Sequence, residues 1–422
     1  MKSPSSTLLA LCVLSLAVQA QETPASTPAA QPAGLTWKDL IGDPSRLKFY
    51  GFLRLDFQYD DSRANNAQTI GWILSEDPTA PSGGANPVGA NGRNNENFNM
   101  HPRLTRFGVD LDGGVVQSLA GAKLTGKVEV DFFNSGLAGQ SESREALRMR
   151  HGWLKLTWGD LSLLAGQTND LISPLFPVVN ADLVMWGAGN LGDRRPQVRI
   201  DWAKPMGESK LLLQAMAGLT GADDNQNLDA NGSLFRDGDT SGRPTLQARA
   251  AFAFPMAGGK AEVGVWGHQA WEQTDTPIGT SATTDFESDA WGFDASLPIY
   301  QDRVALKGEA WQGRNLDDVR GGIFQGINTT TGEEIDSTGG FVELGVKTTE
   351  HNTLYAGYSN DNPEAGDVAN GGRANNRIAY LASRWNYKPI SFDLEYLYWT
   401  TKYVGFDEGT DNRIVAFIAY NF

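Results

Sequence analysis

The sequence predicts an all-β chain: a transmembrane antiparallel β-barrel of about sixteen strands. Three observations carry this expectation. From Leu47 to the end, segments of about ten residues alternate apolar and polar side chains with period two. The connections between them alternate short and long, as in barrels with tight turns at one end and wide loops at the other. The final stretch sets Ile414, Ala416, Ile418, Tyr420 and Phe422 on one face and stops on an aromatic residue.

Composition removes the other classes. The 422 residues include 48 Gly, 12 Trp, 11 Tyr and 19 Phe, but one Cys and four His. After the first twenty residues no run approaches the ~20 apolar residues that a spanning helix needs. An aromatic share of 10% with regular alternation supplies too much apolar surface for disorder. Cys12 stands alone, so no disulfide scaffold forms. A net charge of −15 and a pI near 4.8 argue against nucleic acid as a partner.

Taken in order, residues 1–20 read as a signal peptide: Lys2, an apolar run from Leu8 to Val18, and the small-residue site Val18-Gln19-Ala20. Leu11 before Cys12 does not fit a lipid-attachment site. Cleavage would remove Lys2 and take the charge from −15 to −16. Residues 21–46 form a Pro/Ala-rich periplasmic linker without apolar period, with room for one helical turn over 35–41. Residues 47–422 are one barrel domain. Its strands are expected at 47–58, 99–112, 121–133, 145–158, 161–168, 194–203, 209–219, 243–254, 259–272, 285–297, 301–313, 339–348, 353–360, 373–386, 389–400 and 411–422. Short turns include 159–160, 255–258 and 387–388. Long connections are expected at 59–98, 169–193, 220–242, 273–284, 314–338, 361–372 and 401–410.

Within strands the faces separate cleanly. Leu124, Gly126, Val128, Val130 and Phe132 oppose Lys123, Thr125, Lys127, Glu129 and Asp131; Val198, Ile200 and Trp202 oppose Gln197, Arg199 and Asp201. Alternation alone does not distinguish a soluble barrel from its inside-out membrane counterpart. Aromatic residues near strand ends, among them Tyr50, Trp158, Trp202, Trp291, Trp311 and Trp399, favour the membrane as interfacial girdles.

Several motifs imitate chemistry. Residues 187–192, Gly-Ala-Gly-Asn-Leu-Gly, spell a dinucleotide fingerprint, but the sequel Asp193-Arg194-Arg195-Pro196 leads into a strand rather than a helix, so a flexible loop end is expected. Asn227 to Gly232 resembles the start of a calcium loop, but Gly238 stands where the bidentate Glu is needed. His101, His151, His268 and His351 have no metal-ligand spacing. No cofactor, metal or catalytic residue is expected, although a Ser–His pair assembled across strands stays open to spacing arguments.

The arginines stand out in so acidic a chain. Arg54, Arg106, Arg148, Arg150, Arg199 and Arg249 fall in strands of the first two-thirds. An arginine facing lipid at mid-membrane costs roughly 2–4 kcal/mol, so these side chains belong in the lumen. Two compatible readings stay open: salt bridges to Glu129, Asp131, Asp110 and Asp201 that support the wall, or a cationic ladder for anions. Leu154 and Leu156 suggest a bulge near Gly152. The connection 169–193 is too apolar to wave in water, with Pro174, Phe176, Pro177, Val179 and Trp186 alongside Asp182. It is expected to fold back and narrow the lumen; contact with a neighbouring subunit is the competing explanation. The acids of the outer connections, including Asp223, Asp229, Asp237, Asp317, Asp318 and Asp336, are expected to face bulk solvent, where salt screens them.

The stretches Lys48–Asp56, Pro102–Gly108, Val128–Phe133, Leu147–His151, Leu164–Thr168 and Gln197–Ile200 together resemble, in their order, the DcaP-like trimeric outer-membrane porins. The resemblance covers about a third of the chain. It implies a sixteen-stranded homotrimeric channel in a Gram-negative outer membrane, in contact with lipid and lipopolysaccharide, that favours small anionic solutes such as dicarboxylates. It also implies that Arg54, Arg106, Arg148, Arg150 and Arg199 lie in the constriction. The Pro/Ala-rich 21–34 departs from members with an N-terminal coiled coil. The terminal Phe422 resembles the signal read by the barrel assembly machinery. A phosphate-selective porin stays open as an alternative, as do, in other classes, an outer-membrane barrel enzyme and a secreted carbohydrate-binding β protein.

Overall fold

The computed structural model describes residues 46–66, 69–77, 79–81, 96–133, 146–220 and 237–422. The expected leader 1–20, all of the linker except Arg46, and the calcium-like stretch from Asn227 to Gly232 lie outside the described residues.

The described chain forms a closed antiparallel sheet. Seventeen hydrogen-bonded segments take part, of which Asn97–His101 and Arg106–Val116 pair with successive stretches of the first strand and make one broken strand, leaving sixteen. In chain order they are β1 (Leu47–Asp60), β2 (Asn97–His101 with Arg106–Val116), β3 (Ala122–Asp131), β4 (Arg148–Trp158), β5 (Leu161–Asn169), β6 (Arg194–Met206), β7 (Ser209–Gly218) and β8 (Thr245–Met256). The second half is β9 (Gly259–Gln273), β10 (Asp285–Tyr300), β11 (Val304–Arg314), β12 (Asp336–Lys347), β13 (Asn352–Pro363), β14 (Arg373–Tyr387), β15 (Ile390–Tyr403) and β16 (Phe406–Asn421). Each pairs with the next, and β1 closes on β16 from Phe52↔Asn421 to Asp60↔Arg413. The terminal residue completes the seam: Phe422 N–H donates to Gly51 O at 3.1 Å, and Gly51 N–H returns to Phe422 O at 3.2 Å. Closure leaves no edge strand, which satisfies the backbone as a membrane requires.

The break in β2 is patched by a side chain. Thr105 Oγ1 accepts from Arg54 N–H at 3.0 Å and donates to Arg54 O at 3.2 Å, replacing the ladder bonds that the turn at 102–105 removes. The bulge expected near Gly152 is present: Glu129 faces His151 and Val130 faces Met149, which leaves Arg150 as the extra residue. The shift in phase turns Leu154 outward.

Faces follow the alternation. Leu53, Phe57, Val128, Val198, Ile200, Phe293 and Leu394 are exposed on the outside, whereas Asp56, Gln58, Glu129, Asp131, Asp294 and Glu395 are buried inside. This is the inside-out arrangement. Two expectations need correction. Tyr50, Trp311 and Trp399 are not girdle residues: Trp311 and Trp399 are buried inside the barrel, and Tyr50 donates to the inward Glu129 at 2.8 Å. The last wide connection, expected at 401–410, is a two-residue hairpin, because Gly405 at φ +78° permits a tight turn and the flanking residues pair up to Tyr403↔Phe406. Apolar patches stand among the polar side chains of the interior. Ile70, Ile73, Val179, Met185 and Ala188 from the connections pack on inward Ile378, Leu397, Trp399 and Val415, while Ile172 and Leu191 pack on Trp266 and Trp311.

Candidate functional site

The inner face divides into two halves with different chemistry. On β1–β6 it carries arginines. The bulge at Arg150 lets one guanidinium span two acids, with Nε to Glu129 Oε1 at 2.7 Å and Nη1 to Asp131 Oδ2 at 2.9 Å. Arg148 grips Asp131 through Nε at 2.9 Å and Nη2 at 2.7 Å. Arg106 Nε lies 3.5 Å from Glu129. Glu129 is further held by Tyr50, whose hydroxyl accepts from Lys127 Nζ at 2.8 Å. Arg54 binds Asp56 with Nε at 2.9 Å, and Arg199 Nε lies 3.1 Å from Asp201. The rings behind them are phenylalanines: Arg54 lies 3.6 Å from the Phe417 centroid, Arg106 5.1 Å from Phe52 and Arg148 4.8 Å from Phe133. Stacking and ion pairing fix the guanidinium planes while leaving Arg106 and Arg148 about a quarter exposed.

The structure thus brings Arg106, Arg148, Arg150, Glu129 and Asp131 into one cluster, with Arg54 and Arg199 on neighbouring strands. Arg249 does not join them. It lies on β8, only 5% exposed, tied to Asp294 through Nε at 3.0 Å and to Glu262 at 2.9 Å. Of the expected acidic partners, Asp110 pairs with Lys127 at 2.8 Å instead of an arginine.

The other half of the inner face holds segment 170–193. A row of wall carboxylates takes its backbone donors in turn: Glu309 on β11 accepts from Leu175 N–H at 2.6 Å, Glu343 on β12 from Val178 N–H at 2.8 Å, and Glu395 on β15 from Asn180 N–H at 2.9 Å. Lys307 Nζ and Arg384 Nη2 donate back to Phe176 O at 2.6 Å and Val178 O at 2.9 Å. Asp182 ends the run, within 3.3 Å of Arg413, 3.5 Å of His101 and 3.9 Å of Arg103, with Gln58 donating to it. Pro177, Asp182 and Trp186 are buried, whereas Pro174 and Phe176 remain partly exposed. Buried peptide donors left without such partners would cost about 1–3 kcal/mol each, so the row of glutamates fixes the segment's path.

Residues 187–192 are not a flexible end. Gly187 N–H donates to Arg320 O and Gly192 N–H to Val319 O, both at 2.8 Å, and Trp311 Nε1 donates to Gly189 O at 2.8 Å. Asp317 and Asp318 also depart from expectation. Both are buried, and Asp318 accepts from Arg195 on β6 at 2.9 Å, which ties its connection to the wall instead of leaving it in solvent.

Sequence reasoning missed Asp56, Asp294, Glu309, Glu343 and Glu395. A signal was present, since each sits at an inward phase of its strand, where an unpaired carboxylate needs a donor.

No protein-family model matches the chain, and no curated protein matches it in sequence. Solved structures do match in fold. The outer membrane channel DcaP of Acinetobacter baumannii superposes with a TM-score of 0.66 at 18% identity, covering 89% of this chain and 97% of that one. The trimer form of in-vitro folded OmpT, an outer membrane protein of Vibrio cholerae, gives 0.51 at 15% identity over 89% and 99%. Salmonella typhi OmpF, in complex with daunomycin, gives 0.53 at 13% over 89% and 97%. Sixteen closed antiparallel strands, an apolar outer belt and these matches together give the chain the fold of an outer-membrane porin-type channel, with DcaP among its structural neighbours.

Proposed function

We propose that the protein is a passive porin of a Gram-negative outer membrane that admits small hydrophilic solutes and favours organic anions, dicarboxylates first and phosphate second. One observation carries the reading: segment 170–193 is fastened mainly to the β8–β16 wall, reaches β1 and β2 through Asp182, and leaves Arg106 and Arg148 on the opposite face about a quarter exposed. Solutes pass between the two, with Pro174, Phe176, Pro177, Asp182 and Trp186 on the narrowing segment and Arg54, Arg106, Arg148, Arg150 and Arg199 opposite. Paired guanidiniums retain outward donors, and several weak sites in series let an anion bind and leave. On this reading the wide connections face outside and the short turns the periplasm. The trimer form of OmpT and the resemblance to DcaP-like porins support a homotrimer.

The enzyme reading loses support on chemical grounds. His268 lies between Gln247 at 3.3 Å and Ser288 at 3.2 Å, a triad-like row. Gln247 Oε1 accepts from Leu171 N–H at 2.8 Å, so its amide N–H₂ donates to His268 Nδ1. The ring then carries its proton on Nε2 and donates to Ser288, the wrong polarity for taking the serine proton. Full-length protein in a planar bilayer should give stepwise ohmic conductance with an anion-directed reversal potential in a salt gradient. Absence of conductance, or hydrolysis of added lipid, would overturn the reading.

A further inference from the structure

The outer surface carries one feature that passage of solutes does not use. Where β5, β6 and β7 reach the wide-loop end, an open groove of about 570 Å³ runs along the outside of the wall. Ala165, Pro196, Val198, Ala217 and Leu219 give it an apolar floor. At its upper rim stands Arg243, exposed, with Asp239 on the same rim.

Arg243 differs from the lumenal arginines. Those are paired with carboxylates; among the described residues, Arg243 has backbone bonds only, its N–H to Ser241 Oγ at 3.3 Å and its carbonyl accepting from Thr220 at 3.3 Å. Its guanidinium lies 5.4 Å from the centroid of Trp271, an outward residue near the end of β9. A tryptophan at that height marks the boundary between acyl chains and head groups. An arginine laid on it presents five donors in the plane where lipid phosphates sit, directly above the open apolar groove.

We infer that this groove is a lipid site: an outer-leaflet lipid lies with an acyl chain against Val198 and Leu219 and its phosphate on Arg243. The inference rests on the porin reading only for placing this end of the barrel in the outer leaflet. Charge decides the occupant. A second copy of the chain would have to bury a guanidinium that no carboxylate among the described residues pairs, whereas a phosphate lipid supplies both the anion and the apolar body.

Native mass spectrometry of the detergent-solubilised full-length protein tests it, with hexa-acylated monophosphoryl lipid A and its dephosphorylated form as probes. Wild type should retain the phosphorylated lipid, and Arg243→Ala should weaken retention about tenfold, the scale of one lost charge-assisted contact. Val198→Trp, which fills the groove while keeping Arg243, should weaken it similarly. Both variants should keep wild-type conductance, which separates failure of this inference from failure of the porin reading. Equal retention by Arg243→Ala, or equal retention of the dephosphorylated lipid by wild type, would overturn the assignment. So would a Val198→Trp protein that loses its oligomeric state while binding lipid normally, since the groove would then be a subunit contact.

Discussion

Arg148 holds Asp131 in two parallel hydrogen bonds, 2.9 Å from Nε to Oδ1 and 2.7 Å from Nη2 to Oδ2. Along the same face five arginines (Arg54, Arg106, Arg148, Arg150, Arg199) meet four carboxylates (Asp56, Glu129, Asp131, Asp201). These nine side chains therefore carry one excess positive charge despite the acidic whole. Anion preference should be modest and easily inverted. Arg148→Ala with Arg150→Ala takes the local balance to one excess negative charge and should move the reversal potential towards cations. Asp131→Asn should move it the other way. Cation preference in the wild type, or no shift in the double variant, would remove the arginine face from selectivity.

The glutamate row predicts what frees segment 170–193. Deleting 174–186 should raise single-channel conductance, because the segment lies inside the wall. Glu309→Ala with Glu395→Ala should orphan two backbone donors at about 1–3 kcal/mol each and give a channel that flickers between conductance levels. Unchanged conductance after the deletion would mean that solutes pass elsewhere.

The architecture was legible because its signals are local. Period-two faces, the alternation of connections and the terminal Phe422 each follow from membrane solvation of a closed sheet, and fourteen of the fifteen strand-to-strand connections fell where the sequence puts them, within a few residues. The exception, Val404-Gly405, failed because Thr400, Thr401 and Lys402 look like loop residues until paired. The site was half legible. Inward arginines follow from the cost of facing lipid, but which acid each one meets depends on register, and the partners of Arg54 and Arg249 were missed for that reason. Trp311 and Trp399 were misplaced because an aromatic near a strand end reads the same whether it faces lipid or holds an infolded loop.

Asp182 gives a pH dependence. Burial pushes its carboxyl above the usual range, outweighing the opposing pull of Arg413, Arg103 and Arg54 and the hydrogen bond from Gln58. His101 and Asp56 lie close to the same cluster. A group that binds its proton more tightly when folded contributes most below its ordinary pKa, and that contribution is lost as pH rises through the folded value. The segment should therefore be held more firmly in acid, with conductance fluctuations growing as pH rises. Asp182→Asn should flatten that trend above the ordinary carboxylate range, read by single-channel recording. A variant with the wild-type pH profile would assign the dependence to another group.

Gly189 offers the sharpest separation of segment from barrel. Its φ of +118° is one that side chains avoid, and a Cβ there would lie 2.3 Å from Gly340 O and 2.9 Å from Asn360 N. Both obstacles are sheet backbone and cannot give way. Gly189→Ala should push residues 186–190 off the wall and break the bonds from Trp311 to Gly189 O at 2.8 Å and from Asn376 to Gly187 O at 2.7 Å. None of the strand ladder bonds involves this segment, so the barrel should still fold, as its heat-dependent mobility on gels would report. Conductance should rise towards that of the 174–186 deletion. Gly366→Ala, with open space around its Cβ, is the control and should behave as wild type. Wild-type conductance from a folded Gly189→Ala protein would show that the segment does not narrow the path.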